Sequence, residues 1–190
     1  MNRLGYDAGT LGNHEFNYGL DVLRRVLAGS RFPIVSANVG LSDRAADPLV
    51  PPLAVLPRKI ACSDGQLREL RIGILGLAPP QITRWDAVIL GDSVVTTDIV
   101  AAAREALPRL RAAGADLVVA LCHSGIGPQE QSEGMENAAV PLAALDGIDA
   151  LVTGHVHRVF PGEGFEETQA VDPKLGRLHG KPAVMAGFFG

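Results

Sequence analysis

The chain has 190 residues, of which 47% are hydrophobic and 20% charged, with a net charge of −4 and a pI of about 5.7. That length suits a single domain over residues 1–190 with one sizeable core, and the composition excludes a disordered chain. The acidic balance, without any block of basic residues, excludes a surface built to coat a nucleic-acid polymer. No run of about 18 apolar residues occurs, so no membrane-spanning helix is expected. Residues 1–12 lack the apolar stretch of a signal peptide.

Short apolar runs alternate with helical patterns, which predicts an α/β fold. Leu20, Leu23, Val26 and Leu27 lie at helical spacing before Gly29, predicting an amphipathic helix of about three turns. Residues 32–39, FPIVSANV, form a strand candidate. The β-rich runs 53–61 and 70–77 flank the polar turn Ser63-Asp64-Gly65-Gln66 and predict a hairpin. Thr97 or Asp98 is placed to cap a helix that runs to Ala113 and closes at Gly114, with Pro108 predicting a kink or a break inside it. The apolar run 116–122, DLVVALC, predicts a strand buried on both faces. A shorter helix is expected over 138–145, then a strand at 149–152, a loop-like polar stretch at 163–180, and a strand from Pro182 to Met185. Cys62 and Cys122 have no metal-ligand spacing. Trp85, Phe16 and Phe160 read as packing groups.

Of the five histidines, His14, His123, His155 and His157 sit beside glycines or directly after apolar runs. In α/β folds, sites form where strands end in such turns. In Gly154-His155-Val156-His157, an extended backbone puts both imidazoles on one side, so they can serve one pocket; a pair of surface histidines is the plainer reading. His123 ends DLVVALC and is followed by Gly125 and Gly127, which let backbone approach a phosphate; a hydrogen-bonded structural histidine fits equally. In Gly12-Asn13-His14-Glu15, the Asn amide oxygen suits a hard or borderline cation, and His14 is then free for acid or phosphate-binding work. Alone, the tetrapeptide also reads as a turn with a capping Asn. His179 lies in a polar stretch and reads as structural or solvated.

Together, GNHE, a strand ending in HSG, and GHVH resemble the calcineurin-like metallophosphoesterases. The stretches GNHEFNYGLDVL, GHVHRVFPG and KPAVMAGFFG resemble the periplasmic branch acting on 2′,3′-cyclic nucleotides and 3′-nucleotides, although Phe189 stands where Trp is expected. The resemblance implies an α/β/β/α sandwich of mixed sheets flanked by helices, here in part. It implies two divalent ions (Mn, Zn, Fe or Co), about 4 Å apart, that activate hydroxide for attack on phosphorus. Asn13, His123 and His155 would bind one ion and His157 the other. His14 would stabilise the transition state or protonate the leaving oxygen. In the sister 5′-nucleotidases an Asp orients that histidine; here Asn17 stands in its place, able to orient by a hydrogen bond but without the charge. Asn17 argues against the alternative reading, a 5′-nucleotidase or nucleotide-sugar hydrolase.

The resemblance also implies Asp-x-His and Gly-Asp motifs upstream of GNHE and a nucleotide-recognition domain downstream. GNHE begins at residue 12, so the chain is expected to be an incomplete catalytic domain. Its first metal site would keep only His157, and an inactive remnant is the second alternative.

Overall fold

The computed structural model describes residues 1–42 and 48–188; Phe189 lies outside the described residues. In chain order the elements are β1 (Gly9–Thr10), α1 (Leu20–Ala28), β2 (Ile34–Val35), β3 (Val39–Leu41), β4 (Leu53–Ala61), β5 (Leu67–Leu77), α2 (Ile82–Trp85), α3 (Ala87–Leu90), β6 (Val94–Thr96), α4 (Ile99–Ala112), β7 (Leu117–Cys122), α5 (Ala139–Ala143), β8 (Ala150–Thr153), β9 (Val159–Phe160), β10 (Val171–Asp172), β11 (Arg177–Leu178) and β12 (Lys181–Ala186).

The main sheet runs β10-β11-β12-β8-β7-β5-β4, with β9 added to β12. Strands β5, β7, β8 and β12 are parallel, and the rest pair antiparallel. Two small ladders stand apart, β1–β2 parallel and β3–β6 antiparallel. The helices and mixed sheet are those of an α/β fold.

The larger core joins α4 and α5 to the sheet through Leu75, Leu77, Leu107, Leu110, Val118, Leu142 and Leu151. A second cluster, with Leu11, Phe16, Leu23, Ile82 and Leu90, packs α1, α2 and α3 together. Phe16 and Phe160 are fully buried, as packing groups should be. No described helix is long and apolar enough to cross a membrane.

Asp98 caps α4, its carboxylate accepting from the Ala101 N–H at 2.8 Å. Pro108 does not break the helix. An interior proline costs about 3 kcal/mol, whereas burying Leu107 and Leu110 contributes about 1.5–3 kcal/mol each, so packing wins. Strand β7 is buried on alternate residues only, Val118, Ala120 and Cys122, with its other face half-covered. The run 32–39 is not one strand. Its break falls at Ser36–Asn38, where the Asn38 amide donates to Ala78 O (2.7 Å) and Thr97 O (2.9 Å) and accepts from Ala78 N (2.9 Å). A side chain that ties three segments together takes the place of a continuing ladder. The polar stretch 163–180 is not all loop, since β10 and β11 pair within it.

Candidate metal centre

The parallel strands finish along one edge. Leu77 pairs with Cys122, Cys122 with Thr153, and Thr153 with Met185. Each strand therefore delivers its next residues to the same rim, where open α/β sheets bind ligands. His123 leaves β7 with its N–H donated to Leu77 O at 2.9 Å. The Gly154 N–H donates to Ser124 O at 3.3 Å, which seats His155 beside it.

The short β1–β2 ladder brings in the other partner. Asn13 follows β1, and its side-chain oxygen lies 3.0 Å from His123 Nε2. Gly12 makes this approach possible, because a Cβ there would lie 3.0 Å from two carbons of the His123 ring. The Gly12 N–H is held by the Glu15 carboxylate at 2.7 Å.

After His123, the buried Ser124 hydroxyl donates to Glu136 O and accepts from Ala138 N, both at 2.7 Å. A Cβ on Gly125 would lie 2.4 Å from the Asn137 side-chain oxygen, and one on Gly127 2.4 Å from the Asn137 carbonyl. These glycines thus admit a neighbouring loop rather than leaving an open cradle. That loop places Glu136 Oε1 2.7 Å from His155 Nε2.

The Gly-His-Val-His segment is not extended. His155 and His157 adopt φ of 74° and 57°, a left-handed backbone uncommon outside glycine and found disproportionately at functional sites. The imidazoles consequently part. The His155 ring meets the edge of His123 at 5.3 Å between centroids and stacks on Trp85 at 5.5 Å. The exposed His157 lies against Phe188, ring centroids 4.3 Å apart. Trp85 is 43% exposed, so it borders the centre instead of filling the core. Burial, and then the charges of His155, His14 and His157, push the His123 imidazole down to about 4. Burial likewise pushes the Cys122 thiol up to about 12, which leaves it inert.

His14 is exposed, and its Nδ1 lies 2.7 Å from the Asn17 side-chain oxygen. The Asn17 amide donates in turn to Asp86 Oδ1 at 2.9 Å. Asp86 is only 7% exposed and sits between α2 and α3. Sequence reasoning missed Glu136 and Asp86, and took Trp85 for a packing group. His179 also has a left-handed φ, 48°, and a buried Nε2 without a hydrogen-bond partner; it is structural rather than solvated.

Among the described residues, no three His, Cys, Asp or Glu side chains converge as a metal-holding group. What does converge is an amide oxygen and an imidazole, with a second imidazole edge-on to the first. This donor chemistry fits borderline divalent cations such as Mn²⁺ or Zn²⁺, and it fits part of one ion's shell.

The chain belongs to the calcineurin-like phosphoesterase family, whose model matches residues 3–159. It is 42% identical over its whole length to a 2′,3′-cyclic-nucleotide 2′-phosphodiesterase/3′-nucleotidase of Salmonella typhimurium, of which it covers 29%. It is 31% identical to a 5′-nucleotidase of Rattus norvegicus over 83% of this chain and 24% of that protein. The crystal structure of calcineurin-like phosphoesterase YfkN from Bacillus subtilis superposes with a TM-score of 0.93 at 41% identity, over 98% of this chain and 56% of that one. Compared with these curated relatives, the chain spans less than a third of their length.

Proposed function

We propose that this chain is part of a metal-dependent hydrolase of nucleotide phosphate esters, acting on 2′,3′-cyclic nucleotides and 3′-nucleotides. The observation that carries the reading is the meeting of Asn13 and His123 beside His155. The names and identities of the relatives favour the cyclic-nucleotide branch over the 5′-nucleotidases. Residues 1–190 would belong to one phosphoesterase domain, and the periplasm would be the site of action, the latter on resemblance alone.

Asn13, His123 and His155 would hold one divalent ion, and His157 would contribute to a second. Bound ions of the Mn, Zn, Fe or Co class supply Lewis-acid charge and lower the pKa of water. The chain's own residues do the rest. Asn17 fixes the His14 ring through Nδ1, leaving Nε2 to hydrogen-bond a phosphate oxygen or to protonate the leaving ribose oxygen. Glu136 holds Nε2 of His155 and so orients that ring.

The test is hydrolysis of bis-p-nitrophenyl phosphate by the purified chain under Mn²⁺ titration, beside a His155→Ala control, followed by a 3′-nucleotide against a 5′-nucleotide. Metal-dependent turnover lost in the control, with preference for the 3′-nucleotide, is the expected result. Preference for the 5′-nucleotide would transfer the chain to the other branch. The lack of a three-carboxylate-or-histidine cluster among the described residues favours a second reading, in which the chain alone binds one ion weakly and turns over nothing. Metal binding without turnover would select it.

A further inference from the structure

We infer that Asp86 is a positioning residue for His14, acting through Asn17. The inference rests on the role of His14 proposed above. Asn17 lies three residues beyond His14, whereas Asp86 comes from 69 residues further along the chain. A buried carboxylate brought that far to meet a single exposed amide has a purpose in the amide's orientation.

The logic is one of donors and acceptors. An ionised carboxylate only accepts hydrogen bonds, whereas an amide has one end that donates and one that accepts. Asp86 therefore takes the Asn17 NH₂ group, at 2.9 Å. The Asn17 oxygen is then turned to His14 Nδ1, at 2.7 Å. An oxygen there requires Nδ1 to carry a proton. The neutral ring is held as the Nδ1–H tautomer, with the Nε2 lone pair facing outward. The carboxylate stands one side chain further back than the amide that meets the ring. The same arrangement with an amide at 86 leaves Asn17 free to turn over, and the tautomer is no longer specified.

Nitrogen-15 NMR of the metal-free chain, labelled at histidine and held at a pH where His14 is neutral, reads the tautomer directly. The solvated histidine side chain favours Nε2–H, so a majority Nδ1–H signal for His14 is expected here and is informative. Asp86→Asn should return His14 toward Nε2–H. The exchange Asn17→Asp with Asp86→Asn puts the carboxylate next to the ring and an amide donor behind it, and should restore Nδ1–H. A merely structural polar pair would not move the tautomer in this pattern. Nε2–H in the unsubstituted chain overturns the inference, as does an unaltered Nδ1–H signal in a folded Asp86→Asn variant. Should that variant not fold, Asp86→Ser in a folded chain decides: a return toward Nε2–H supports the inference and an unaltered Nδ1–H signal overturns it. The tautomer is read without metal or turnover, so a failure here and a failure of the hydrolase reading are separate results.

Discussion

His123 Nε2 and the Asn13 side-chain oxygen face each other at 3.0 Å although 110 residues separate them in the chain. A protonated Nε2 donates an ordinary hydrogen bond to the amide oxygen at this distance, and both atoms are of types that bind a divalent cation. Asn13→Ala and His123→Ala should each weaken Mn²⁺ binding by more than the roughly 10- to 100-fold typical of losing an outer partner. Isothermal titration of the folded variants measures it. Unchanged affinity in either would remove that residue from the centre.

Acid should destabilise the metal-free chain through His123. Its folded value of about 4 lies below the usual 6.5. Between those values the unfolded chain binds the proton and the folded chain does not, so stability is complete above about pH 6.5 and declines as pH falls toward about 4. Urea midpoints at about pH 7.5 and about pH 5 record the decline, and His123→Asn should flatten it. An equally steep decline in the variant would trace the acid sensitivity to other groups.

Glu136 offers a sharper test of how His155 is held. Its carboxylate is 2.7 Å from His155 Nε2, yet its side chain is 40% exposed. Glu136→Ala should thus cost little stability, within about 1 kcal/mol, and weaken Mn²⁺ binding about 10- to 100-fold. Thermal melts and titration separate the two effects. Affinity equal to that of the parent would leave the contact without a role in the centre.

Gly76 links the sheet to the ladder that carries Asn13. It accepts the Ala37 N–H at 2.7 Å, and a Cβ on it would lie 2.0 Å from Val35 O and 2.8 Å from the Thr10 hydroxyl. Backbone cannot yield as a side chain can. Gly76→Ala should cost about 1–3 kcal/mol and, by pushing β1 and β2 off β5, weaken metal binding as well. A melt unchanged from the parent would show that the ladder can shift freely.

Two of the parallel strands were readable in the sequence because the β-rich run 70–77 and the apolar run 116–122 have few other homes, and both end at the residues the sequence marks. The hairpin of β4 and β5 and the Asp98 cap were equally legible from a polar turn and a short acidic side chain. Local chemistry was less so where tertiary contacts decide. Nothing in the run 32–39 announces that Asn38 will bond Ala78 and Thr97. Two-residue strands such as β10 carry no period to detect. Asp86 and Glu136 sit in no motif, and their meaning appears only when folding sets them beside Asn17 and His155. The family resemblance pointed to His14, His123, His155 and His157, but the alternation argument for the last two failed, since it presumed an extended backbone that this segment does not have.

The left-handed backbone at His155 and His157 also bears on how this rim can evolve. Few residue types sit in that region without penalty: glycine freely, Asn, Asp and His at modest cost, and β-branched residues hardly at all. Most random substitutions there would be rejected for conformation before their chemistry was tried. Ala at His155 removes the imidazole and also pays for this backbone, so the fold of the His155→Ala control is checked beside its turnover. Variation in what the rim accepts is left to neighbours on ordinary backbone, with Trp85, stacked on His155 and open to solvent, the first of them.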